Sequence, residues 1–262
     1  MSKIISIASC KGGIGKTTST INLGTALAMQ GKHILLVDND AQSSLTSFLN
    51  LKSQVKIALP NLIKAIMDQT SSDELFDMVN ESIIKTKYLD VIPSTIKMAG
   101  LELGMSMVTA REYILKNILK CIKDHYDIIF IDCLPSLGIF AVNALTASDT
   151  VIIPVETHYG GLEGFDQILH TINMVREQLN PNLSIEGIVM TKHQERTVLC
   201  RSVREMIKED CGKNIRLFEP PIPFSIRVAE QSGLGISIFE HDPKNPAALA
   251  YETIAKEVGA NA

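Results

Sequence analysis

An apolar run from Ile4 to Ala8 leads straight into Cys10-Lys11-Gly12-Gly13-Ile14-Gly15-Lys16-Thr17-Thr18, and a helical apolar pattern follows. A strand, a glycine-rich turn and a helix in that order constrain this chain more than any other segment. Glycine has no Cβ, so the turn can curl its amides inward around an anion. The helix starting near Thr17 points its free N–H groups and positive dipole end at the same place. Lys16 offers a point charge to β- and γ-phosphates, and Thr17 a hydroxyl to Mg²⁺. The nucleotide-contacting set read here is Gly12, Gly13, Ile14, Gly15, Lys16, Thr17 and Thr18.

The rest of the chain repeats strand and helix signals. Short apolar runs at 34–37, 128–131, 150–154, 184–190 and 215–218 read as strands, with a shorter one at 89–93. Between them, 3.6-residue spacing predicts helices at 61–67, 109–124, 139–145, 162–179, 198–209 and 247–258. Ile21, Leu23, Leu27 and Ala28 share one face of the first helix, which Gly31 ends. Strands that are apolar throughout, alternating with helices, specify an α/β fold with a mostly parallel twisted sheet covered on both faces. The block 53–104 is the least readable part. With no linker, repeat or composition break, residues 1–262 are expected to form one domain.

Two further segments should meet the glycine-rich loop at the carboxyl ends of the strands, where open α/β sheets bind ligands. One is Asp38-Asn39-Asp40-Ala41-Gln42-Ser43, after the second strand. The other is Asp132-Cys133-Leu134-Pro135-Ser136-Leu137-Gly138. Asp132 sits where a carboxylate can serve Mg²⁺ directly or through water. Asp38 and Asp40 are two residues apart, so an extended backbone turns both to one face. One can serve the metal shell and the other can orient an attacking water.

The loop departs from the ordinary G-x-x-x-x-G-K-[ST] pattern, because Cys10 replaces the first glycine and Lys11 adds a second cation. This K-G-G-x-G-K-T-T arrangement resembles the deviant Walker A box of the ParA/MinD family of P-loop ATPases. The resemblance extends over nearly the whole chain, including Asn143 to Asp149, Pro154-Val155 and Leu162-Glu163-Gly164. It implies that ATP and Mg²⁺ are bound, and that Lys11 reaches across a homodimer to the partner's nucleotide. It also implies that Asp40 is needed for hydrolysis alongside Lys16, that Asp38 lies near the metal with Thr17 and Asp132, and that adenine sits near Thr191-Lys192 and Pro221 to Pro223. Ala41 and Leu134 replace prolines of the family's two switch segments, which removes a φ constraint but no catalytic group.

Residues 192–227 hold eight Lys/Arg against five Asp/Glu, a local charge of +3, so the remainder carries −7 of the total −4. Arg201, Arg204 and Lys208 fall on one helix face, and Arg196, Arg216 and Arg227 extend the stripe. Such a stripe suits sequence-independent phosphate contacts. By resemblance, Arg196, Arg201, Arg204 and Arg227 would bind non-specific DNA in the ATP-bound dimer, and a ParB-like centromere-binding adaptor would stimulate slow hydrolysis.

Three rival readings compete with partition. Positioning of a protein cargo by a ParA-like ATPase is not separable on sequence. A MinD-type membrane ATPase would need a basic, apolar terminal helix, and residues 255–262 lack one. A cluster-bearing reductase would need a metal-ligating cysteine, for which Cys133 is the candidate. The other cysteines are unpatterned, with Cys121 and Cys200 read as buried, and no signal peptide or apolar span of 18 residues occurs. A cytoplasmic, nucleoid-associated protein without an N-terminal helix-turn-helix extension is therefore expected.

Overall fold

The computed structural model describes residues 2–158, 164–210 and 215–260. Within them lie strands β1 (Lys3–Ile7), β2 (Ile34–Asn39), β3 (Ile84–Lys85), β4 (Asp90–Ile92), β5 (Ile128–Cys133), β6 (Thr150–Glu156), β7 (Ser184–Thr191) and β8 (Leu217–Phe218). They form one sheet in the order β3-β4-β2-β5-β1-β6-β7-β8, parallel except where the edge strand β3 pairs with β4. β1 therefore has β5 on one side and β6 on the other. The connection from β1 runs one way along the sheet and that from β6 the other, which opens a crevice above the end of β1.

Alternate residues of each strand feed two apolar layers. Ile4, Leu35, Val37, Ile129 and Ile131 face one core, and Ile5, Ile7, Leu36, Ile128 and Phe130 face the other. The first core is covered by helices α3 (Leu59–Met67), α4 (Ser72–Ser82), α6 (Ile114–Lys120), α7 (Ile139–Ala147), α8 (Phe165–Gln178) and α9 (Val198–Asp210). The second lies beneath α1 (Lys16–Met29), α2 (Ser44–Phe48), α11 (Ile238–His241) and α12 (Pro246–Ala260). α5 (Leu101–Met105) sends Met105 into the first core, and α10 (Ile226–Leu234) is largely exposed with Gln231 buried. α1 lies close on the sheet because Gly24 leaves no side chain in the way; a Cβ there would stand 2.9 Å from Leu36 Cδ2. Among the described residues no helix is long and apolar enough to cross a membrane.

Several expectations need correction. The helix anticipated over 109–124 is broken into a short 3₁₀ turn at Arg111–Tyr113, α6, and a second 3₁₀ turn at Lys123–His125. Asn143 of α7 fixes this geometry, accepting from Leu115 N–H and donating to Arg111 C=O. Because α6 stops at Lys120, Cys121 is only partly buried, whereas Cys200 is buried as expected. The block 53–104 is ordered by α3, α4 and the β3–β4 edge. The start of the helix anticipated at 162, with Leu162 and Glu163, lies outside the described residues, as does Cys211. α2 and α10 were not anticipated at all.

Candidate active site

The glycine-rich loop takes up the conformation its composition demands. Gly13 and Gly15 have φ of 74° and 92°, a left-handed region costly for residues with a side chain. α1 begins at Lys16, one residue earlier than expected. The Lys16 side chain bends back over the loop, and its Nζ donates to Lys11 C=O at 2.7 Å. Burial lowers the Lys16 pKa, and the nearby Asp132 charge works against that shift. Ile14 is buried beneath the loop, and its carbonyl accepts a 2.8 Å hydrogen bond from Thr191 Oγ1 at the end of β7. The loop is thus tied to a strand nearly 180 residues away in sequence, a contact the sequence gives no sign of.

β2 and β5 run side by side in register, so Asp38 and Asp132 are paired across adjacent strands. Asp132 is buried; its Oδ2 accepts from Thr17 Oγ1 at 2.6 Å, and Oδ1 from Thr20 Oγ1 at 3.4 Å. Asp38 Oδ2 accepts both the backbone N–H and the hydroxyl of Thr46, at 2.8 and 2.6 Å. Its other oxygen, Oδ1, is buried without a hydrogen-bond partner. Desolvation, the largest cause, pushes Asp132 up to about 8 and Asp38 up to about 6; the Asp38 charge raises Asp132 further, and the Asp40 charge raises Asp38.

The alternation expected along 38–40 is observed. Asn39 donates to Phe140 C=O of α7, on one face, while Asp38 and Asp40 both bond residues of α2. Asp40 Oδ1 accepts from Gln42 N–H at 2.9 Å and Oδ2 from the Ser44 hydroxyl at 3.2 Å. Asp40 lines the cavity above the loop, with Asp38 set deeper against Thr46.

That cavity has a volume of about 470 Å³. Its floor is Gly12, Gly13, Gly15, Lys16, Thr17 and Thr18; one wall is Thr191, Lys192, Ile222, Pro223 and Phe224. Tyr251 of α12 and Val228 and Ala229 of α10 complete it. The wall contains the segment expected to hold adenine, Pro223 included. Tyr251 and Thr46 were missed, since a lone tyrosine in a closing helix and a lone threonine in a five-residue helix carry no local signal. Cys133 also lines the cavity, with its thiol pushed up to about 12 by burial and then by Asp132.

Both buried aspartates sit above their unfolded-state values, so the folded apoprotein holds protons the unfolded chain has lost. Stability present near pH 4 is therefore lost as pH rises toward 8. Asp132→Asn removes this burden and keeps an acceptor for Thr17. It is expected to raise the melting temperature of the nucleotide-free protein by at least about 5 °C at pH 8 and by clearly less at pH 5, where only the first part of the loss has occurred. Calorimetry at the two pH values checks this; an equal shift at both would mean that ionisation of Asp132 is not the cause.

The basic residues are less uniform than their spacing suggested. Arg196 and Arg201 are exposed. Arg204 is instead drawn down onto Glu219, 2.7 Å away, with Glu195 at 3.8 Å. Lys208 is shared between Glu205 and Glu219, Arg216 pairs with Glu257, and Arg227 pairs with Glu230 at 3.0 Å. The expectation of a single open cationic row is corrected: carboxylates brought in from outside α9 neutralise part of it.

A family described as an AAA domain matches residues 2–185. The sporulation initiation inhibitor protein Soj of Bacillus subtilis (strain 168) is 40% identical over 262 residues, covering all of both chains. The chain belongs to the ParA/MinD family of P-loop ATPases. Within this family, the chromosome partitioning protein ParA of Caulobacter vibrioides is 34% identical over 98% of this chain and 93% of its own. Among solved structures, cobyrinic acid a,c-diamide synthase from Mycobacterium smegmatis with bound ADP and magnesium superposes with a TM-score of 0.82 at 29% identity. That match covers 98% of this chain and 93% of the other.

Proposed function

We propose that this ParA-family protein is a Mg²⁺-dependent ATPase that dimerises on ATP, binds DNA without sequence preference in that state, and drives DNA segregation by slow hydrolysis. The observation that carries the reading is the convergence of Lys16, Thr17 and Asp132 beneath a cavity whose floor is the loop's own backbone. Loop amides and Lys16 would bind the phosphates, and the Pro223 wall would hold the base. The orphaned Oδ1 of Asp38, beside a second buried carboxyl and the Thr17 hydroxyl, makes an all-oxygen donor set that burial leaves without a counter-charge of its own. That set fits Mg²⁺, which prefers a few carboxylate or hydroxyl oxygens together with water and phosphate. When bound, Mg²⁺ would neutralise charge on the β- and γ-phosphates.

Asp40 would hold the attacking water by hydrogen bond, aligned for displacement at the γ-phosphorus. The water oxygen bonds to phosphorus as the β–γ bridging oxygen leaves with its electron pair on ADP, and the water proton leaves with the phosphate product. Lys16 balances charge on the leaving side. Lys11 would complete the partner's site, so ATP would bridge two copies of the chain. Arg196, Arg201 and Arg227 would then form one phosphate-binding surface from two linked patches, each too weak alone. A centromere-binding adaptor would accelerate turnover.

DNA binding measured without nucleotide, with ADP and with ATP, across a salt series, tests the reading. ATP alone should confer tight binding, and Arg196→Ala with Arg201→Ala should lower the slope of log K against log salt by about 2 per protomer. Lys11→Ala should retain ATP affinity while losing both the dimer in sedimentation and the DNA binding. Binding that ignores the nucleotide would remove the ATP switch, and no binding in any state would favour a scaffold that positions cargo without DNA.

A further inference from the structure

His193 lies two residues past the end of β7 and belongs to two networks at once. Its backbone is bonded to the cavity wall from behind: its N–H donates to Ile222 C=O, its C=O accepts from Phe224 N–H, and it bridges Pro223 as a short parallel pair. Its side chain is buried and points elsewhere. Nδ1 meets Thr157 Oγ1 at 3.3 Å, and Nε2 meets Glu195 Oε2 at 2.7 Å. Glu195 is otherwise exposed, so this bond is what fixes its carboxylate. The hydrogen bond from His193 also holds the Glu195 carboxyl below its ordinary pKa.

The fixed carboxylate faces Arg204. Between Glu195 at 3.8 Å and Glu219 at 2.7 Å, the guanidinium is pulled in, with only about a fifth of its side chain exposed, 22%. Arg201, one turn earlier on the same helix, remains exposed. The held position is not fully satisfied, because Arg204 Nε is buried without a hydrogen-bond partner. A guanidinium with an unused donor has a competing arrangement available, in which all its donors reach water or a phosphate.

We infer that Glu195 and Glu219 form a latch that withholds Arg204 from nucleic-acid phosphates, and that His193 connects this latch to the wall of the nucleotide cavity. A nucleotide seated against Ile222, Pro223 and Phe224 acts on the backbone of His193, and through its ring on Glu195. Only a nucleotide that binds the two latch positions with different affinity shifts them. By reciprocity, DNA that engages Arg204 strengthens binding of that same nucleotide. The inference rests on the DNA-binding reading above and adds a residue whose contact depends on the bound state.

The test is a comparison of wild type, Glu219→Gln and Glu195→Gln in binding a non-specific duplex, without nucleotide and with ADP, across a salt series. Melting curves establish that each variant is folded. Either substitution keeps side-chain size and removes one arm of the latch. We expect several-fold tighter binding in the nucleotide-free and ADP states, with the slope of log K against log salt steepened by about 1. His193→Gln should reduce the difference between the nucleotide states.

Removing a carboxylate also raises DNA affinity through general charge, so each variant is repeated with Arg204→Ala. The gain should vanish in that background; a gain that persists there overturns the latch and leaves the DNA reading intact. So does wild-type DNA binding that neither glutamine variant changes. A wild type that binds no DNA in any nucleotide state removes the DNA reading itself, and the latch with it.

Discussion

Lys16→Ala is expected to abolish ATP binding, with a loss of at least about 100-fold in affinity measured by calorimetric titration or a fluorescent analogue. The size of the effect follows from the position of the ammonium. It is buried at the start of α1, reaches Lys11 C=O at 2.7 Å, and lies close enough to Asp132 to feel its charge. Truncation removes the cation that would meet the phosphates and leaves the buried Asp132 carboxylate with less compensation. Breaking a charge-assisted contact in such surroundings costs about 3 kcal/mol or more, which is a factor above 100. Retained micromolar affinity would sink the assignment of the loop to phosphate binding. The protein should remain folded, because Lys16 packs at the edge of the cavity rather than within either apolar layer.

Asp40→Ala should leave ATP binding and dimerisation close to wild type while lowering the turnover number by about 10²–10⁴. The alanine variant alone is ambiguous, because Asp40 also closes its own turn through Gln42 N–H and the Ser44 hydroxyl. Asp40→Asn separates the roles. An amide oxygen can still accept from Gln42, so the turn persists, but the negative charge and proton affinity are gone. Comparable losses in both variants would place the chemistry on the carboxylate. An asparagine variant with near-normal turnover would show that Asp40 matters only as a turn-former, and another group must then orient the water.

What could be read in the sequence was what the backbone determines locally. Gly13 and Gly15 announce their positive φ, Lys16 and Thr17 follow from the helix they begin, and an aspartate ending an apolar strand has one place to go. The period of two along β2 correctly put Asp38 and Asp40 on one side. What escaped was everything decided by a partner far along the chain. Thr46 takes up one oxygen of Asp38 from a five-residue helix with no periodicity of its own. Thr191 holds the loop through Ile14 C=O across 177 positions. Arg204 looked open on a helical wheel because Glu219, which pulls it in, comes from beyond the helix. The helix over 109–124 broke for the same reason: the side chain of Asn143 set its limits.

The strand order has a consequence for how the protein comes to exist on the ribosome. β1 and β2 follow one another in the chain, yet they are not neighbours; the slot between them belongs to β5. A nascent chain ending before residue 128 can pair β2 with β4, but it has no strand to join the loop after β1 to Asp40 after β2. β5 brings the missing strand and Asp132 in one step, pairing with β1 over a separation of about 125 residues. Contacts that distant are slow to form, and the unpaired edges of β1 and β2 stay open until they do. The part of the chain that looks most complete on the page is thus the part that must wait longest for a partner during synthesis.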